Sequence, residues 1–168
     1  LVDAALKVLP KHPKATVIIC GEIQIEDQTY KNNMLRKITD ANLEDRILFL
    51  GKKPFEDLPK LFQGMSVVAA LSRNEGYGLT PLEGMASGAA VLTSSEGVWD
   101  ELVRDGIDGY VVKTNDVLQT SERLNTLIEN SSKTKSMGEN AAKYISENFS
   151  VEKEADQIIQ HIRYVQNI

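Results

Sequence analysis

Five short apolar runs, at residues 16–20, 47–50, 67–71, 89–93 and 110–112, constrain this chain more than any other feature. Each is continuous rather than alternating, the pattern of strands buried on both faces of a parallel sheet. Helical spacing lies between them. Val2, Ala5, Leu6 and Leu9 form one stripe, Tyr30, Met34 and Ile38 a second, and Leu58, Leu61, Phe62 and Met65 a third. Pro54 suits the first position of that third helix. Strand alternating with helix predicts an α/β fold: a Rossmann-like, doubly wound parallel sheet with helices on both faces. After Val112 the strands stop. Stripes at Val117, Leu124 and Ile128, at Met137, Ala141, Tyr144 and Ile145, and at Ala155, Ile158, Ile159, Ile162 and Val165 predict a C-terminal helical tail.

With 168 residues, the chain has material for one full core. The net charge of −5 supplies no basic field for nucleic acid. No apolar run approaches the roughly 20 residues that span a bilayer, and no signal-peptide pattern opens the chain. The single cysteine, Cys20, ends an apolar run and is expected to be a buried, inert thiol. These features suit the cytoplasm. His12 and His161 lie far apart in sequence and are read as surface residues, so no metal site is expected. The chain opens at Leu1, directly in a helical pattern, and is read as one domain, residues 1–168, from a longer protein.

One segment carries chemistry. Ser72-Arg73-Asn74-Glu75-Gly76-Tyr77-Gly78-Leu79-Thr80-Pro81-Leu82-Glu83-Gly84 follows a predicted strand and enters a helix. Thr80 reads as N-cap, Pro81 as the first helical residue, and Glu83, three after Thr80, as the partner in a capping box. In a doubly wound sheet, ligands bind beyond the carboxyl ends of the strands. A helix N-terminus there presents free N–H groups to an anion, and the glycines before it allow close backbone approach. That geometry suits a diphosphate, and the flanking carboxylates of Glu75 and Glu83 suit the hydroxyls of sugars. A nucleotide sugar combines both. The plainer reading also stands: Glu83 only caps its helix, the glycines only turn the chain, and Glu75 is a solvated carboxylate.

The segment resembles the donor-site signature of the group 1 glycosyltransferases, which are retaining enzymes of the GT-B fold. That signature is a Glu, seven residues and a second Glu, with Gly-aromatic-Gly-Leu after the first; Glu75, residues 76–79 and Glu83 match it. The continuation to Gly88, the turns at Gly21 and at Leu50-Gly51, and the Asp105-Gly106-Ile107-Asp108-Gly109 loop fall in the order of the family's C-terminal, donor-binding domain. The resemblance implies a role for each matching position. Glu75 contacts the transferred sugar as the catalytic residue. The backbone of Gly76, Tyr77, Gly78, Leu79 and Thr80 holds the sugar and the diphosphate, and Glu83 accepts from ribose hydroxyls. Leu50, Gly51 and Lys52 lie near the base, and Gly21 admits the donor to the first turn.

It implies sugar transfer from a UDP-, GDP- or ADP-linked donor to a glycan or lipid acceptor, with retention, no cofactor and no obligatory metal. The acceptor half would lie in a missing N-terminal domain, so the isolated chain is expected to transfer poorly. Polysaccharide biosynthesis, with peripheral membrane association of the full-length enzyme, fits the family. A non-catalytic nucleotide-sugar-binding or regulatory module is the alternative. Two departures stand out. The family's Arg and Lys, in a loop after a strand that would precede Leu1, have no counterpart here; Lys52, Lys53 and Arg73 are the nearest cations. Trp99 occupies the later glycine-rich loop, where it either packs against helices or walls the cleft. The terminal helix, residues 151–168, is expected to cross onto the missing domain, leaving its apolar stripe exposed in isolation as a loose tail or weak dimer contact.

Overall fold

The computed structural model describes residues 1–22, 28–74 and 76–166. Strands β1 (Val17–Cys20) and β2 (Ile47–Gly51) pair in parallel, with Val17 opposite Ile47. Strands β3 (Val67–Ala70), β4 (Ala90–Ser94) and β5 (Gly109–Val112) form a second parallel sheet in that order. All five strands fall on the five apolar runs. β4 is buried at every residue, as a continuous apolar run with a strand on each side requires. Among the described residues β1 and β3 are not hydrogen-bonded to each other, so the expected single sheet is divided in two.

Helices α1 (Val2–Val8), α2 (Gln28–Asp40), α3 (Leu58–Gln63), α4 (Thr80–Ala86) and α5 (Trp99–Leu102) alternate with the strands; α6 (Val117–Glu129), α7 (Ser131–Asn148) and α8 (Val151–Gln166) follow them. Three apolar clusters result. Val2, Ala5 and Leu9 meet Ile38 of α2 and Ile47 of β2, which puts α1 and α2 in one layer. Leu92, Tyr110 and Val112 pack against Leu124 and Leu127 of α6 and Met137 of α7. Val68, Met85, Val91 and Ala141 enclose Trp99, which is 1% exposed. Trp99 therefore packs in the core and does not wall a cleft.

Two glycines record close approach rather than turn geometry. A Cβ on Gly109 would lie 1.9 Å from the Val91 carbonyl oxygen, and one on Gly138 would lie 2.0 Å from that of Gly88. β5 thus sits tightly on β4, and α7 on the turn after α4. The loop into β1 is tied down by Arg46, whose guanidinium donates to the carbonyls of Leu9 (3.1 Å), His12 and Ala15 (3.1 Å). His12 is half-buried and its Nε2 bonds Asn125 Oδ1 of α6 at 2.8 Å, so it serves packing. Arg104 donates to both oxygens of the fully buried Asp108, at 2.7 and 2.6 Å, which fixes the loop into β5. The Asp108 carboxylate in turn raises the Arg104 pKa above its ordinary value.

Three local expectations are corrected. Pro54 does not start α3: it is extended (ψ 146°), a 3-10 turn at Phe55–Asp57 follows, and Pro59 takes the first turn of the helix. The capping box on α4 is not formed. Thr80 is already helical, Leu79 stands at the N-cap with helical dihedrals, and no side chain caps the helix. A cap residue needs extended dihedrals to aim its oxygen back at the first N–H groups. Cys20 is exposed, because β1 ends at an open groove; its thiol donates to the Gly51 carbonyl at 3.4 Å. The stripe of α8 is exposed, with Ile158, Ile159, Ile162 and Val165 all open to solvent.

Candidate donor site

The carboxyl ends of β1, β2 and β3 open on one side of the domain. At the end of β1, Gly21 adopts φ 141°, which a side chain would strain, and a Cβ there would meet nothing within 4 Å. Its N–H donates to the Gly51 carbonyl at 3.1 Å, so the turns after β1 and β2 are joined. Leu50 is half-buried on β2 and Gly51 is exposed at its end. Lys52 follows with its ammonium 3.8 Å from Glu22, a pair so exposed that it contributes little.

From β3 the chain runs through Ser72, whose carbonyl accepts a 2.7 Å hydrogen bond from the hydroxyl of Ser94, buried at the end of β4. This bond pins the start of the signature loop; nothing in the sequence around Ser94 announces it. Gly76 and Thr80 are exposed, as are Tyr77 at 51% and Leu79 at 62%, so the loop presents two large side chains to the outside. Gly78 has φ 46°, the left-handed turn that aims the chain into α4. The first backbone bond of α4 runs from Glu83 N–H to the Leu79 carbonyl, 2.9 Å, and the N–H groups before it have no partner within the helix.

Gly21, Lys52, Thr80 and Glu83 all line one cavity of about 1100 Å³, together with Cys20 and Lys53. The structure therefore brings together four residues expected from three separate segments. Leu50, Gly51 and residues 76–79 do not line it: Gly51 is joined to Gly21 by the backbone bond, and residues 76–79 lead into the helix that carries Glu83. Glu75 lies outside the described residues. Cys20 joins the site without having been expected there; its place next to Gly21 was the signal for it. Lys53, one of the three nearest cations, lines the cavity as well. Among the described residues no three His, Cys, Asp or Glu side chains lie close enough to hold a metal ion.

Comparison with known proteins is consistent with this geometry. The chain is 36% identical over 157 residues to the lipopolysaccharide core biosynthesis mannosyltransferase LpcC of Rhizobium leguminosarum, covering 94% of this chain and 44% of that protein. It is 28% identical over 159 residues to the lipopolysaccharide core biosynthesis mannosyltransferase LpsB of Rhizobium meliloti, covering 94% and 45%. The chain thus spans less than half the length of these relatives. Among solved structures, HepE of Anabaena in complex with UDP superposes with a TM-score of 0.87 at 29% identity, covering 98% of this chain and 44% of that one. The C-terminal domain of the group 1 glycosyl transferase LpcC of Francisella tularensis superposes with a TM-score of 0.85 at 28% identity, covering 89% and 77%. The family model of glycosyl transferases group 1 matches residues 1–144, and the chain belongs to that family, with the α/β fold of its C-terminal, donor-binding domain.

Proposed function

We propose that this domain binds a nucleotide-diphospho-sugar and supports transfer of its sugar to a glycan or lipid-linked acceptor, with retention of configuration and without a metal. The observation that carries the reading is the meeting of Gly21, Lys52, Thr80 and Glu83 around one cavity that also runs along β1 and β3, with Gly21 and Lys52 just beyond the carboxyl ends of β1 and β2. Glu83 accepts from the ribose hydroxyls. The backbone of residues 76–80 takes the diphosphate and the sugar, and Leu50, Gly51 and Lys52 face the base. Glu75 touches the transferred sugar. Retaining transfer on one face of the sugar leaves charge on the departing phosphate, which takes the acceptor proton. Fixed N–H donors and nearby ammonium groups lower that barrier because they need not reorganise as the charge develops. The first turn of α4 supplies the N–H donors and Lys53, which lines the cavity, an ammonium group.

HepE in complex with UDP supports a uridine donor, and the two mannosyltransferases support a mannosyl group delivered to a lipopolysaccharide core. Such an acceptor puts the complete enzyme at the cytoplasmic face of a membrane; among the described residues no helix is long and apolar enough to cross one. The test is Glu75→Ala in the protein joined to its acceptor half. Transfer falls about a hundredfold or more while nucleotide affinity holds. Unchanged turnover refutes the role of Glu75.

A further inference from the structure

We propose, resting on the donor role given to this domain, that Ser94 is a positioning residue for sugar transfer: through the Ser72 carbonyl it holds the loop that carries Glu75, separately from the helix that holds the nucleotide.

Ser94 is the last residue of β4 and is 2% exposed. The sheet fixes its backbone. It stands opposite Val112 of β5, and the next N–H, that of Ser95, donates to the Val112 carbonyl at 2.9 Å. On the other side β3 ends at Ala70, opposite Thr93, so Ser94 stands one step beyond the last β3–β4 pair. Past that pair a side chain takes over from the backbone, and the Ser94 hydroxyl donates to the Ser72 carbonyl at 2.7 Å. A buried hydroxyl is costly without a partner. Displacing Ser72 therefore breaks one bond and strands the group that made it. Thr93, one residue earlier and on the opposite face, marks the contrast: its hydroxyl is buried with no hydrogen-bond partner among the described residues. Burial at this end of β4 does not by itself bring a bond, and the one from Ser94 is aimed at the loop.

Different atoms anchor the far end of the loop, on the other face of the sheet. Ser94 shares its face with Ala90 and Leu92, which pack in the cluster of α6. α4 lies on the opposite face, where Met85 packs with Val68 and Val91. A Cβ on Gly84 would lie 2.7 Å from the Cβ of Val68, so α4 rests directly on β3, and Pro81 is buried in its first turn. Neither contact involves Ser94. The signature loop is thus strung between two independent anchors, with the left-handed turn at Gly78 next to the second.

The two anchors serve different parts of the donor. Glu75 follows Ser72 by three residues, which span at most about 10 Å, so a shift at Ser72 is passed on with little slack. Glu83 belongs to α4 and keeps its place. A misplacement of about 1 Å at a reacting group costs up to about a hundredfold in rate. Loss of the Ser94 hydroxyl therefore lowers turnover and spares nucleotide affinity.

The test is Ser94→Ala. In this chain, without ligand, NMR relaxation gives backbone order parameters. Those of Arg73, Asn74 and Gly76 fall from about 0.85 to about 0.6 or below, while those of Leu82, Gly84 and Met85 hold. In the protein joined to its acceptor half, kcat falls about tenfold or more, and the nucleotide Kd from calorimetry stays within about twofold. Unchanged order parameters overturn the proposal whatever the activity does. A loosened loop with unchanged kcat overturns it too. So does a loss of affinity that matches the loss of kcat, which makes Ser94 a packing residue of the whole site. A protein with Ser94 intact that neither binds a nucleotide nor transfers a sugar overturns the donor role itself, and the role of Ser94 with it; that outcome shows before any substitution is made.

Discussion

Replacing Glu83 with Ala separates two roles that the sequence left superimposed. If Glu83 served a capping box, its loss would cost about 0.5–2 kcal/mol of stability. The structure removes that term: α4 has no side-chain cap, and Thr80 sits inside the helix. What remains is a carboxylate in the first turn, whose interaction with the helix dipole is about 0.3–1 kcal/mol. The better helix propensity of alanine offsets part of this. The expected change in stability is therefore about 0.5 kcal/mol or less. Affinity is another matter. A hydrogen bond to a charged group contributes about 1.5–3 kcal/mol. Loss of the ribose contacts at about 2 kcal/mol, within that range, weakens nucleotide binding about thirtyfold. Urea denaturation and calorimetric titration of the same two proteins give both numbers. A stability loss above 1 kcal/mol with unchanged affinity would refute the reasoning and make Glu83 a structural residue.

Two further substitutions test the packing that positions the site. Gly138→Ala places a Cβ 2.0 Å from the Gly88 carbonyl oxygen, which is backbone, so α7 or the turn after α4 must shift. The expected cost is about 1–3 kcal/mol by thermal denaturation, and a neutral result would mean that α7 does not lie where it is described. Arg104→Met strips the guanidinium from the fully buried Asp108, leaving its carboxylate the Arg104 backbone N–H at 3.2 Å. Breaking such a pair costs about 3 kcal/mol, and a loss below 1 kcal/mol by denaturant titration would contradict the described contact.

The strands were legible because both-face burial in a parallel sheet leaves an unbroken apolar run. Each of the five lies within a residue or two of the run that announced it. Trp99 was legible only as a choice between core and cleft wall, and its burial among Val68, Met85, Val91 and Ala141 decides for the core. Local terminus chemistry was not legible. Thr80, Pro81 and Glu83 have the spacing of a capped helix, but the tight turn through Gly78 brings Leu79 into helical dihedrals and starts α4 one residue early. Cys20 was misjudged because an apolar run predicts burial only where strands pair on both sides, and among the described residues β1 pairs with β2 alone. Backbone geometry was readable at Gly21 and Gly78, whose positive φ the turns require. That Gly21, Lys52 and Glu83 converge is a property of the topology, which no spacing within one segment contains. The Ser94–Ser72 bond that holds the signature loop is equally non-local.

The most direct measurement of the central claim is isothermal titration of this chain with UDP, GDP, ADP and their sugar conjugates. The account predicts one saturable site with a clear preference for a single nucleotide, weakened about thirtyfold by Glu83→Ala. Absence of binding by every nucleotide at millimolar concentration would contradict it.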